Sequence, residues 1–358
     1  MAYPPIPPPV RAALIGAGQI ASEHLACLAS RPDVVLVGVC DRSAVAAEAA
    51  ATRHGGERWF TDHREMLAQV APDVVHVTTP APSHPALAAD ALDAGAHVLV
   101  EKPLAPKRED VTALLERART ADRHLVEDHN YVWDPAVQRI LALIADGSLG
   151  EVVHAQVDLF LDLASEDSAY ADPNLPHPAL FTPGGAIGEF LTHLASLAHA
   201  FTGPHGDVRT VWESRRPGGP LPHDELRALV TGPAASAAIC FSARARPAAF
   251  SVRVAGTRMR ATASLFDSRL LVVRERAGSR PLASLIAGLA EGRDAAGATV
   301  GSLWARLQGG PGSYRGLWNL IGALYDALRD GHPPPVGSEQ VAEANRLVFD
   351  LIDERNRL

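Results

Sequence analysis

The run Gly16-Ala17-Gly18-Gln19-Ile20-Ala21 constrains this chain more than any other. It follows an apolar stretch, Arg11 to Gly16, that reads as a strand, and it leads into Gln19 to Ser30, which reads as a helix. In that setting each small residue has a mechanical part. Gly16 permits a tight turn, Gly18 removes the side chain that would block a pyrophosphate, and Ala21 lets the helix pack closely on the sheet. Asp41 ends the next strand 20 residues after Ala21, where a carboxylate can accept hydrogen bonds from the adenosine ribose hydroxyls. Gly16, Gly18, Gln19, Ile20 and Asp41 therefore predict a dinucleotide site. The carboxylate favours NAD, while the guanidinium of Arg42 beside it keeps NADP open, because it can hold a 2'-phosphate.

The pattern around this loop repeats. Up to Trp133, short apolar runs (Val34 to Cys40, Val74 to Thr78, His97 to Val100, His124 to Glu127) alternate with helical stretches such as Ser43 to His54, Ser83 to Ala94 and Lys107 to Ala121. Continuous apolar strands separated by helices predict a doubly wound parallel sheet, so residues 11–133 read as a Rossmann domain behind a proline-rich arm, 1–10. From Glu225 to Arg276, strand-like runs follow one another without helices, and Gly256-Thr257 reads as a hairpin turn. Residues 134–358 thus read as a second, α+β domain with a large, mostly antiparallel open sheet, and its last helix is a candidate for packing back on the Rossmann half. The Gly, Ala and Arg-rich stretch Arg276 to Arg315 shows weak periodicity and reads as a long excursion.

Composition removes several classes of function. At 358 residues, with 47% apolar and 21% charged, the chain can fill about two domains. Its 41 acids outweigh its 33 bases and form no long runs, which argues against a nucleic-acid surface. No stretch reaches the length of a membrane span, so no membrane partner is expected. Cys27, Cys40 and Cys240 are too few and too scattered for a disulfide framework, and a reducing cytoplasm is the expected home. Lys102 and Lys107 are the only lysines against 31 arginines. Where a bare positive charge suffices the chain uses arginine, whose proton is not released at physiological pH; an amine can release one.

Lys102 lies in a second constellation, Val74-Val75-His76-Val77-Thr78-Thr79-Pro80, then His84, then Ala91 to Val100 and Glu101-Lys102-Pro103. With the glycine run, these residues resemble the Gfo/Idh/MocA oxidoreductases, the group of glucose-fructose oxidoreductase and inositol dehydrogenase. The likeness is strongest from Ala12 to Pro103. It implies hydride transfer to or from NAD(P) between a secondary alcohol and a ketone on a sugar, sugar derivative or cyclitol. It also implies that Thr79, Pro80, His84, Glu101, Lys102 and Asn130 join the glycine loop around the cofactor, that the bond before Pro103 is cis, and that Lys102 exchanges the hydroxyl proton. The open sheet would pair copies of the chain as a homodimer or homotetramer.

Gly184 to His193 resembles a further family segment, in which an acid and a histidine four apart on one helical face contact substrate. Glu189 and His193 have that spacing. Glu189 replaces the usual Asp, Leu191 a common Gly, Ser196 a second Asp, and Val132 an arginine that often follows the asparagine. These departures leave room for a cofactor-binding sensor or scaffold without catalysis, or for an epimerase or eliminase that retains its NAD. Glu189, His193, His199 and His129 are all potential metal ligands, but with no HExxH or Cys/His knuckle and no metal needed for hydride transfer, no metal is expected.

Overall fold

A computed structural model describes residues 4–163, 165, 168, 170, 180, 182–216, 219, 221–274, 292–293, 297 and 314–355. Most of Tyr170 to Pro183, with His177, and nearly all of Arg276 to Arg315 therefore lie outside the described residues. By packing, the chain divides into two compact units: Met1–His129 with Leu317–Asn345, and Asn130–Gly316 with Arg346–Leu358.

In the first unit, β1 (Val10–Ile15), β2 (Val34–Cys40), β3 (Trp59–Phe60), β4 (Val74–Val77), β5 (His97–Val100) and β6 (Leu125–Glu127) form one parallel sheet in the order β3-β2-β1-β4-β5-β6. Every residue of β4 and β5 is buried, as expected of strands covered on both faces. The intervening helices are α1 (Ala21–Ala29), α2 (Ala44–His54), α3 (His63–Val70), α4 (His84–Asp93) and α5 (Arg108–Ala121). Their ends follow local chemistry. The Ser43 hydroxyl accepts from Ala46 N–H at the start of α2, Gly55 closes that helix at φ 72°, and the Asp62 carboxylate accepts from Arg64 and Glu65 N–H ahead of α3. The strand order reverses between β1 and β4, which opens a crevice at the carboxyl edge of the sheet. Late in the sequence, α8 (Arg315–Asp330) contributes Leu317 to Asp330 to this unit, and α9 (Ser338–Arg355) contributes its first half. Ile6 N–H donates to Leu328 O on α8, 3.0 Å, so part of the proline-rich arm is held down.

The second unit contains α6 (Pro135–Ala145), α7 (Gly185–Thr202) and the seven-stranded sheet β13-β12-β11-β7-β10-β9-β8. The strands are β7 (Val152–Phe160), β8 (Val208–Glu213), β9 (Glu225–Thr231), β10 (Ser236–Ser242), β11 (Ala249–Gly256), β12 (Met259–Ser264) and β13 (Arg269–Arg274). Only the β7/β10 pair is parallel. Alternate residues of the central strands, Ala155, Val157 and Leu159 on β7 with Ile239 and Phe241 on β10, enter one core with Ile187, Leu191 and Leu194 of α7. Leu191 therefore has a packing reason for standing where the resemblance expects Gly: it is fully buried. The hairpin between β11 and β12 turns at Thr257 and Arg258, one residue later than the sequence reading places it. Among the described residues no helix is long and apolar enough to cross a membrane.

Candidate active site

The glycine loop is shaped by its neighbours in the first unit. Gly16 sits at φ 102°, and a Cβ there would come within 2.6 Å of Thr79 Cγ2 and 2.9 Å of Thr79 N, so no larger residue fits. Its N–H donates to Cys40 O, 2.7 Å, and its carbonyl accepts from the Thr78 hydroxyl, 2.6 Å. Gly18 differs: a Cβ there would meet nothing within 4 Å. The protein's own packing does not demand that glycine, whereas a ligand laid across the loop would. No side chain caps α1, so its first N–H groups remain available to an anion. Gln19 is exposed and Ile20 half-buried at the helix entrance.

Asp41 connects the loop to the next strand. One carboxylate oxygen accepts from Ala17 N–H and the other from Ser43 N–H, each at 2.8 Å. A cleft of about 510 Å³ opens beside it, lined among others by Gly16, Gly18, Asp41, Arg42, Thr79 and Pro80. Thr61, His63 and Ser83 also line it and were not read from the sequence. His63 Nε2 lies 2.7 Å from Asp90 Oδ2, a partner 27 residues away that only the fold provides. The loop, the uncapped helix and the ribose-side carboxylate fit a dinucleotide.

Glu101, Lys102 and Pro103 follow β5 on the same carboxyl edge, and the Lys102–Pro103 bond is cis. Lys102 is half-buried and its N–H donates to Glu101 Oε2, 3.2 Å. His84 stands between two backbone carbonyls, Nε2 at 2.6 Å from Thr79 O and Nδ1 at 2.9 Å from Pro103 O, and so spans the end of β4 and the lysine turn. Burial pushes its imidazole below the ordinary histidine range. Two further groups were missed. Glu127, fully buried, accepts from Leu104 N–H, 2.8 Å, and from the Asn345 amide. His24 lies 3.1 Å from Glu101 Oε1 through Nε2. Their partners sit 23, 218 and 77 residues away, so local pattern carries no trace of them.

Glu189, His193 and Asn130 belong to the second unit. Glu189 and His193 project from α7 one turn apart. The Tyr170 hydroxyl donates to Glu189 Oε2, 2.6 Å, and burial together with that carboxylate pushes the phenol upward. The Tyr131 ring packs edge-on against His193 at 4.8 Å. Ser196 is buried and its hydroxyl donates to His193 O, a bond inside the helix. Asn130 Oδ1 accepts from Tyr131 N–H, 2.9 Å. Of the residues weighed as metal ligands, His199 Nδ1 faces Gly203 O and His129 Nε2 faces Glu127; among the described residues no group of three or more His, Cys, Asp or Glu is placed to hold a metal.

Residues 10–129 match the model of the Gfo/Idh/MocA family, described as an oxidoreductase family with an NAD-binding Rossmann fold. D-glucoside 3-dehydrogenase of Escherichia coli (strain K12) is 36% identical over 145 residues, 40% of this chain and 41% of its own length. Levoglucosan dehydrogenase of Pseudarthrobacter phenanthrenivorans is 28% identical over 232 residues, 61% of this chain and 57% of its own. The chain thus spans roughly half the length of these curated relatives. A levoglucosan dehydrogenase solved with NADH and levoglucosan has the same fold, with a TM-score of 0.80 at 20% identity over 97% of both chains. The sequence match to the Gfo/Idh/MocA oxidoreductase family, with its NAD-binding Rossmann fold, covers residues 10–129, and the likeness of fold covers the length of the chain.

Proposed function

We propose that this protein is an NAD-dependent dehydrogenase that interconverts a secondary alcohol and a ketone on a sugar, sugar derivative or cyclitol. One observation carries the reading: a lysine, one of two in the chain, stands on the same sheet edge as an open glycine loop with its ribose-side carboxylate. Gly16, Gly18, Gln19 and Ile20 would hold the pyrophosphate, and Asp41 the adenosine ribose. Asp41 disfavours a 2'-phosphate by charge, which leaves exposed Arg42 a secondary part. Bound NAD supplies a hydride acceptor. Lys102 takes the hydroxyl proton as the alcohol is oxidised and returns it in the reverse direction. His193 is the second proton-transfer group, an imidazole being able to take and return a proton. Glu189, oriented by the Tyr170 hydroxyl, binds substrate hydroxyls. The substrate class is supported by relatives named for glucosides and levoglucosan, and by fold neighbours solved with levoglucosan, L-sorbose or UDP-GlcNAcA.

The test is NADH formation from NAD with levoglucosan, methyl glucoside and myo-inositol. At least one should be oxidised, and Lys102→Met should lower kcat by about 10²–10⁴ while calorimetry finds NAD binding retained. A Lys102→Met protein with undiminished turnover would sink the assignment.

A further inference from the structure

Four buried polar side chains, three from α1, β4 and α8 and one from the turn after β5, stand in line outside the glycine-loop cleft. Tyr325 Oη on α8 lies 2.9 Å from His76 Nε2 on β4. His76 Nδ1 lies 2.8 Å from His24 Nδ1 on α1. His24 Nε2 lies 3.1 Å from Glu101 Oε1, and Glu101 Oε2 accepts from Lys102 N–H. Tyr325, His76 and His24 are 0% exposed, so bulk water cannot replace a missing partner.

The last member fixes the direction of every proton in the line. An ionised carboxylate only accepts, so His24 donates to it from Nε2. A neutral His24 then offers an acceptor at Nδ1, and His76 donates to it from its own Nδ1. A neutral His76 accepts at Nε2, and the Tyr325 hydroxyl donates there. In this setting every group is satisfied. An imidazolium at His24 would reverse the outer two bonds, leaving the Tyr325 hydroxyl proton with no acceptor among the described residues, a costly arrangement in a dry interior.

The surroundings of the line keep Glu101 ionised and His76 neutral. Burial, with His24 alongside, pushes His76 far below the ordinary histidine range and keeps it neutral. Burial works against ionisation of Glu101, yet the His24 hydrogen bond, the neighbouring His24 ring and then Lys102 carry its carboxyl below its ordinary range. Tyr325 faces Cys27 from α1, Arg31 just after it, Asp33 before β2 and Asp73 before β4; burial raises its phenol well above the usual range, so it remains a donor. The charge of Glu101 also reaches His84.

We propose that Tyr325 is a positioning residue for the Glu101-Lys102 pair: by donating to His76 it closes a one-way line of donors that holds the Glu101 carboxylate with its second oxygen on Lys102. The inference rests on the reading of Lys102 as the proton-transfer group. It makes a tyrosine more than 220 residues downstream of that lysine part of the apparatus that sets it.

The full-length protein with ¹⁵N-labelled histidine gives the first test. His24 should carry its proton on Nε2 and His76 on Nδ1, and Tyr325→Phe should release His76 into a mixture of tautomers. The second test exploits the scarcity of lysine. Under limiting trinitrobenzenesulfonate, read peptide by peptide, exposed Lys107 serves as internal reference for Lys102. Tyr325→Phe should change the Lys102 to Lys107 rate ratio about threefold at fixed pH, whereas general loosening would speed both. A wild-type His76 protonated on Nε2, or a ratio indifferent to Tyr325→Phe, overturns the proposal. Should the wild type oxidise none of the three test alcohols while both readouts come out as expected, the dehydrogenase reading falls and Tyr325 still positions the pair.

Discussion

At the scale of single residues, Asp41 shows how a group proposed to bind the cofactor can also be a structural one. Its carboxylate accepts from Ala17 N–H on one side and Ser43 N–H on the other, so the group expected to meet the ribose also ties the glycine loop to the start of α2. Asp41→Asn must turn an amide N–H toward one of those two donors. We expect NAD affinity to fall about tenfold, near 1.4 kcal/mol, with discrimination against NADP reduced, both read by calorimetry; unchanged affinity would remove Asp41 from the site. The places of Asp41 and Lys102 at the carboxyl edge of the sheet were legible in the sequence because each follows an apolar strand. Glu127, His24 and Tyr325 were not, because a buried carboxylate, imidazole or phenol is defined by partners brought from far along the chain.

At the scale of elements, the starts of β5 and β6 carry an acid-sensitive pair. His97 begins β5, His124 immediately precedes β6, and their rings lie 4.9 Å apart. His124 N–H donates to His97 Nδ1, 2.9 Å, a bond that protonation of that nitrogen would break. Burial pushes His97 down to about 3 and His124 down to about 4. Folded-state values depressed in this way mean that the unfolded chain binds more protons between about pH 6.5 and those values. Stability should therefore be full above pH 6.5 and decline as the pH falls, by at most about 1.4 kcal/mol per pH unit for each histidine. Urea unfolding at neutral and mildly acidic pH measures this, and His97→Gln should flatten the slope; equal slopes would refute it. The same scale shows why β8 escaped the sequence reading. Its inward positions include Thr210 while Val211 points out, so the alternation that marks a half-buried strand is blurred.

At the scale of the molecule, the family resemblance implies pairing of copies through the second sheet. Leu229 on β9 is 60% exposed and Val211 on β8 52%, on the face turned away from the core. Leu229→Asp should shift the mass measured by light scattering toward the monomer, whereas a wild-type protein already monomeric would count against such pairing. The sequence reading made Rossmann and α+β halves consecutive with only the last helix as a candidate for packing back, and nothing in composition said that α8 joins the first unit as well, since an amphipathic helix does not name the surface it will cover. That return has a consequence for biogenesis. Leu317, Leu320, Leu324 and Tyr325 are wholly buried, so the nucleotide half keeps an unclosed apolar flank until residues 317–345, made long after it, have left the ribosome, and a nascent chain stalled before them would present it to chaperones.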